Sequence, residues 1–88
     1  MNDAELGFLA IRNGDHQEAL NLFRRCLERG DKTAYRGLAL ASYQLEDYPV
    51  ARWAFHKHLE IRPRDPESLR YIDAIDRMAR RSPPRKRM

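Results

Sequence analysis

The sequence has few of the features that mark secreted, membrane-spanning or disulfide-stabilised proteins. Cys26 is its one cysteine, so no intramolecular disulfide can form, and a reducing cytoplasm is the expected compartment. No apolar run approaches the ~20 residues that a transmembrane helix needs. The first residues lack the basic start and apolar run of a secretory signal peptide. Because 34% of the residues are charged, the composition indicates a soluble, helix-rich chain.

Motifs of catalysis and metal binding are absent as well. There is no G-x-S-x-G, no phosphate-binding Walker loop and no dinucleotide fingerprint, so we expect no enzymatic activity and no cofactor. His56 and His58 are two positions apart, which places them about 200° apart around a helix. A zinc pair on one helix needs a spacing of four, and His16 lies far away in the sequence, so no metal site is expected. Cys26 falls on an apolar stripe and is interpreted as a small core residue.

The positive charge is concentrated at the C-terminal end. The net charge is +4, yet all thirteen acidic residues lie between Asp3 and Asp76. The six basic residues that follow the eleven of the main body are Arg77, Arg80, Arg81, Arg85, Lys86 and Arg87. Residues 81–88 have no apolar period and predict a disordered basic tail. Such a tail can contact nucleic-acid phosphates or an anionic surface, or only aid solubility; without interleaved aromatic residues, base stacking is not expected.

Five helices are predicted, mainly from the residues that begin and end them. Gly14 and Gly30 are predicted to end helices, because glycine adopts the left-handed conformation without steric cost. Asp15 and Asp47 are predicted N-caps, and Glu18 is expected to complete a capping box with Asp15. The helices are expected at about residues 3–13, 16–29, 33–45, 48–62 and 66–80.

The last predicted helix has one apolar face and one charged face. Asp65 is its expected N-cap, and Pro66 occupies the first helical position, where a missing N–H costs nothing. The apolar face comprises Tyr71, Ile72, Ile75, Met78 and Ala79. This pattern is typical of a helix that has a neighbour on one side only.

A few apolar positions recur at a spacing of 32 residues. Asp15, Ala19, Phe23, Leu27 and Glu28 return as Asp47, Ala51, Phe55, Leu59 and Glu60. A helix pair of this length cannot bury its apolar stripe alone, whereas stacked copies can. Small residues fit where helices cross closely, and large ones fill the gaps between pairs. We therefore interpret the recurring residues as packing positions.

The two copies resemble the tetratricopeptide repeat, whose helix–turn–helix unit carries the pattern W-x₂-L-G-x₂-Y…A-x₃-F…P. The first copy matches at Leu6-Gly7, Ala10, Gly14-Asp15, Ala19 and Phe23. The second matches at Tyr35, Leu38-Ala39, Asp47-Tyr48, Ala51, Phe55 and Pro63. Asp3 and Asp31 depart from the pattern, since they stand in its Trp and Pro positions. The resemblance implies one domain over residues 1–80, with repeats at about 3–31 and 33–65 and a capping helix at 66–80.

The resemblance further implies an all-α, right-handed stack of five helices, a TPR-like α-solenoid that acts as a non-catalytic scaffold for protein interactions. The first helix of each pair would line a concave groove that receives a peptide or a helix. The groove residues would be Phe8, Ile11, Arg12, Arg36, Leu40, Tyr43, Arg70, Ala74 and Arg77. An apolar floor with an arginine edge suits an acidic or amphipathic partner.

Other interpretations remain open at this point. Each groove residue is equally consistent with ordinary packing between helices. The single tryptophan, Trp53, falls near the outer face of its helix, where it could contact a partner or fold over Val50 or a neighbouring loop. No capping helix precedes the first pair, and Met1, Phe8 and Leu9 offer apolar area there. Self-assembly, for instance as a weak homodimer, is therefore an alternative to groove binding.

Overall fold

The protein folds entirely into helices over residues 1–81, which are the residues that the computed structural model describes. The α-helices are α1 (Asp3–Arg12), α2 (His16–Glu28), α3 (Tyr35–Gln44), α4 (Tyr48–Ile61) and α5 (Pro66–Arg81). A 3₁₀ turn at Lys32–Ala34 precedes α3, and residues 1–81 contain no strand. None of these helices combines the length and apolar character needed to cross a membrane. The all-α class is confirmed. Arg81, which was predicted to begin the disordered tail, is instead the last residue of α5, and residues 82–88 of that tail lie outside the described residues.

Three residues with a positive φ end the first three helices. Gly14 and Gly30 have φ of 83° and 87°, as their assignment as helix stops predicts. The turn between α3 and α4 has Glu46 in this role, with φ of 64°. The sequence offers no glycine there, so the left-handed residue of this turn could not be predicted. Each of these residues reverses the chain and sets two helices side by side.

The N-caps of the helices differ from the prediction in two places. Asp15 forms no side-chain cap hydrogen bond, so the predicted capping box with Glu18 is wrong. A complete capping box instead begins α1, where Asn2 accepts from the Glu5 amide at 2.8 Å and Glu5 accepts from the Asn2 amide at 3.1 Å. The predicted cap of α4 is confirmed, because Asp47 accepts from the Val50 amide at 3.4 Å.

Each helix packs mainly against its neighbours in the chain, and α1 also contacts α3. The recurring alanines and phenylalanines are confirmed as core residues, since Ala19, Phe23, Ala51 and Phe55 are all 0% exposed. Ion pairs tie the helices together at their edges. Arg29, the C-cap residue of α2, pairs with Asp3 of α1, and Arg52 of α4 pairs with Asp76 of α5, each at 2.8 Å. The contacts thus run in sequence from α1 to α5, with an additional contact between α1 and α3.

The ring of Phe23 occupies space that two glycines leave open. A Cβ built on Gly7 of α1 would lie 2.6–2.9 Å from three carbons of this ring, and one built on Gly37 of α3 would lie closer still. Real Cβ atoms essentially never approach so closely. The ring is fully buried, and the Phe8 ring meets it edge-on at a centroid distance of 4.8 Å. The α2 helix can therefore approach both α1 and α3 only because residues 7 and 37 lack side chains.

We expect Gly37→Ala to destabilise the protein, although alanine is the better helix former by about 1 kcal/mol. The added methyl group would collide with the Phe23 ring, and overpacking of a core costs about 1–3 kcal/mol. Urea unfolding followed by circular dichroism measures the change. A Gly37→Ala variant more stable than the wild type would contradict this packing.

We also expect Ala51→Leu to lower the free energy of unfolding by about 1–3 kcal/mol, because Ala51 is completely buried on α4. The matched control is Ala79→Leu, the same substitution at an exposed position of α5. Thermal melting of both variants makes the comparison. Equal melting temperatures for the two would show that position 51 is not a close helix crossing.

Candidate functional site

Side chains of α1, α3 and α5 form one connected set. The Arg36 guanidinium of α3 donates to Glu67 of α5 through Nε at 2.7 Å and through a terminal nitrogen at 3.4 Å. Its central carbon also lies 5.3 Å from the ring centroid of Phe8 on α1, at cation–π distance. These contacts join α1, α3 and α5 across one surface. The charge of Arg36, which was predicted to bind a partner, is therefore paired within the molecule.

A cluster of aromatic rings lies beside the Arg36–Glu67 pair. Tyr43 meets Tyr48 and Tyr71 edge-on, at centroid distances of 5.3 Å and 4.7 Å. Tyr71 in turn stacks on Phe55 of the core at 4.7 Å, with the rings 10° from parallel. Burial raises the pKa of the Tyr71 phenol above its ordinary value. Because packing fixes both rings, Tyr43 and Tyr71 form a rigid wall rather than mobile surface side chains.

These tyrosines line a shallow depression between α3 and α5, which we call the Tyr43 depression. It has a volume of about 280 Å³ and is lined by Tyr43, Glu67, Arg70, Tyr71 and Ala74. Arg70 is exposed, and its side chain forms no ion pair or hydrogen bond with any other residue of 1–81. The Glu67 carboxylate is already held by Arg36. The depression therefore has one guanidinium free to bind an anion beside a wall of fixed aromatic rings.

The remaining residues predicted for the groove are packed against the core, exposed at a helix end or paired within their own helix. Ile11 and Leu40 are half-buried and pack against the core, so little of either side chain is left for a partner. Arg12 is exposed in the last turn of α1. Arg77 is paired with Asp73 at 2.8 Å, one turn away on the same helix. The structure thus brings Phe8, Arg36, Tyr43 and Arg70 near one another, and it pairs Arg77 within α5.

Trp53 lies apart from the Tyr43 depression. Its side chain is 51% exposed and meets Tyr35 of α3 edge-on, at a centroid distance of 5.6 Å. The ring therefore folds against a neighbouring helix and still presents about half of its surface to solvent. The contact with Tyr35 of α3 differs from the predicted packing over Val50 or a loop, and the outer contact with a partner stays a prediction.

A buried polar cluster joins the end of α4 to the start of α5. Asp65 accepts hydrogen bonds from the Ser68 hydroxyl at 2.7 Å and from the Ser68 amide at 3.1 Å, which confirms Asp65 as the N-cap of α5. His58 Nε2 lies 3.6 Å from the same carboxylate. The fully buried Ser68 hydroxyl donates to the carboxylate and not to the imidazole, so these residues do not form an activated nucleophile. The arrangement is structural.

The other histidines and the cysteine follow the prediction. His56 is exposed whereas His58 is buried, so the two side chains diverge as their spacing predicts. Cys26 is 2% exposed, and burial raises the pKa of its thiol, which suits a core residue rather than a nucleophile. Within residues 1–81 no group of three or more potential metal-ligating side chains occurs.

Searches against protein-family models, curated proteins and solved structures return no match to this chain. The assignment of a function therefore depends on the geometry of the side chains. On that geometry, the Tyr43 depression is the candidate site, because it combines a free cation with preformed aromatic walls.

We expect Asp65→Ala to lower the free energy of unfolding by about 1 kcal/mol at neutral pH, as loss of an N-cap typically does. The Ser68 hydroxyl bond lowers the pKa of the Asp65 carboxyl, so its stabilising effect is present above the ordinary pKa of about 3.9. That effect is lost as the pH falls through the lowered value. Urea unfolding at several pH values should show the wild type and the variant converging in acid.

The matched control for this experiment is Asp15→Ala. Asp15 is also an N-cap, but its side chain forms no cap hydrogen bond. We expect its substitution to cost clearly less than that of Asp65. A cost for Asp65→Ala that stays constant down to pH 2, or that equals the cost of Asp15→Ala, would contradict the role of the Ser68 bonds.

Proposed function

We propose that the chain is a non-catalytic, tetratricopeptide-like binding module whose α1, α3 and α5 side receives a peptide or helix that bears acidic side chains. The observation that carries the proposal is the unpaired Arg70 guanidinium beside the fixed rings of Tyr43 and Tyr71. Arginine forms bidentate hydrogen bonds with carboxylates, and aromatic side chains supply contact area at little entropic cost. The partner's acid would bind Arg70 while a neighbouring apolar group packs on the tyrosines.

The tetratricopeptide assignment is supported by the burial of the recurring residues and by the sequential packing of the helices. In such an arrangement, the first helices of successive pairs share one surface. The contacts from Phe8 through Arg36 to Glu67 connect these three helices. The proposal extends this pattern to a right-handed stack of two repeats and one terminal helix.

The charge balance of the Tyr43 depression supports an acidic partner over a basic one. Glu67 is the one carboxylate among its lining residues, and Arg36 neutralises it at 2.7 Å. Arg70 then remains as the uncompensated charge. A volume of about 280 Å³ holds one or two side chains and not a folded ligand. We therefore expect an extended or helical segment anchored by a single acidic side chain, with modest affinity.

We expect Arg70→Glu to abolish binding of an acidic probe. The probe is a fluorescent peptide with phenylalanine or leucine anchors flanked by glutamates, and its binding is measured by anisotropy. Truncating a buried charge-paired anchor typically costs about 2 kcal/mol or more, which is a loss of at least about thirtyfold. Because Arg70 has no partner within residues 1–81, the substitution should leave the melting temperature nearly unchanged.

The matched control is Arg24→Glu, which reverses the charge of an exposed arginine on α2. It changes the net charge by the same amount and should bind the probe nearly as well as the wild type. A lysine version of the peptide tests the sign of the charge and should not bind. Equal binding by the Arg70 and Arg24 variants would refute the assigned site. Failure of every acidic peptide to bind the wild type would refute the function.

A further inference from the structure

A second, larger depression lies between α4 and α5, and we call it the α4–α5 groove. Its volume is about 520 Å³, compared with about 280 Å³ for the Tyr43 depression. The residues that line it are Tyr48, Pro49, Arg52, Ile75, Asp76, Met78 and Ala79. Five of these seven are apolar or aromatic. Since α5 is the last helix of residues 1–81, no further helix of the described chain covers this groove.

The charged side chains on the α5 side of the groove are predominantly basic. Arg52 and Asp76 form a pair at 2.8 Å that joins the two helices. Arg80 also lowers the pKa of the Asp76 carboxyl, after the larger effect of Arg52, which places a second guanidinium near the same carboxylate. Arg80 forms no ion pair within residues 1–81. On the α5 side, one carboxylate therefore faces two arginines and Arg81 follows in the same last turn, whereas Glu46 lies near Tyr48 on the α4 side.

The opposite end of the molecule has the complementary character, and we call it the acidic end. Leu6, Leu9 and Leu22 line a depression of about 350 Å³ between α1 and α2, with Asp15 and Glu18 beside them. Leu6 is 36% exposed. Neither Asp15 nor Glu18 forms an ion pair within residues 1–81, and Asp15 does not use its carboxylate as a cap. Asp3 and Arg25 also line the depression, and Asp3 pairs with both Arg25 and Arg29, so the free acids of this end are Asp15 and Glu18.

We propose that a second copy of this chain occupies the α4–α5 groove and that it docks through its acidic end. Leu6 and Leu9 are three positions apart on α1, so they share one side of the helix and form an apolar ridge. Such a ridge can pack into a groove between two helices. The free carboxylates of Asp15 and Glu18 would then approach Arg80 and Arg52. Apolar contact would supply affinity, and charge complementarity would fix the orientation.

The charge distribution favours this head-to-tail contact over a symmetric dimer. Two α4–α5 grooves placed face to face would bring Arg80 against the arginines of the other copy. Two acidic ends placed together would likewise oppose their free carboxylates. A head-to-tail contact is heterologous, so it leaves one groove and one acidic end unoccupied in every assembly. Chains of copies therefore grow with concentration and shorten as salt screens the charges.

This association is independent of the proposed peptide binding. It uses α4, α5 and the α1–α2 edge. The peptide would bind instead in the Tyr43 depression, which lies between α3 and α5. The Arg70→Glu variant is therefore expected to associate like the wild type. Peptide binding can fail while association persists, and association can fail while peptide binding persists.

The test is sedimentation of the full chain with two variants, each blocked at one end. Asp15→Lys combined with Glu18→Lys reverses the acidic end. Ala79→Lys places a charge on the apolar floor of the groove, at an exposed position that tolerates it. The two altered ends are both positive, so they cannot bind each other. Leu6→Lys and Met78→Lys serve as substitutes if circular dichroism shows that either first choice is unfolded.

The wild type should increase in average mass with concentration, and this increase should weaken at high salt. Each blocked variant should sediment as a monomer at concentrations where the wild type associates. An equimolar mixture of the two should reach twice the monomer mass and stop, because one intact groove and one intact acidic end remain. A wild type that is monomeric at hundreds of micromolar would overturn the proposal. A mixture that stays monomeric, or a blocked variant that associates like the wild type, would do so equally.

Discussion

The close approach of α2 to both α1 and α3 depends on the fit of one phenyl ring against two glycines. The Phe23 ring fills the volume that Gly7 and Gly37 leave open, and it packs edge-on with the Phe8 ring. Phe8 in turn lies under the guanidinium of Arg36, which holds Glu67 of the last helix. The core contact and the surface network are therefore continuous. A change in the spacing of α1 and α3 would alter the position of α5 and with it the Tyr43 depression.

The pairing of Arg36 explains why the candidate site is smaller than an arginine-lined groove. The predicted groove contains four arginines, at positions 12, 36, 70 and 77, which indicate a strongly basic surface when only the sequence is considered. Two of them are paired with carboxylates of α5. Only Arg70 retains an uncompensated charge beside the aromatic wall. Under the proposed function, electrostatic recognition at this surface would therefore be local, and selectivity would depend on where an acid lies relative to an apolar neighbour.

The helices and the core could be predicted because strong local signals specify them. The glycine stops, the Asp47 and Asp65 caps and the recurring alanine and phenylalanine positions each reflect a steric or hydrogen-bonding rule that acts within a few residues. The conformation of Glu46 and the Arg36–Glu67 pair could not be predicted in this way. The first has no glycine to signal it, and the second joins residues 31 positions apart. Such long-range pairs depend on the spacing of helices, which periodicity alone does not give.

The edge-on contact of Trp53 with Tyr35 gives the molecule an optical reporter of its own. It is the only tryptophan in the sequence, and it lines neither the Tyr43 depression nor the α4–α5 groove. Its indole is half in water and half against α3, so its emission should respond to separation of α3 from α4. Fluorescence can thus follow the middle of the helix array without a label, while both proposed binding surfaces remain free.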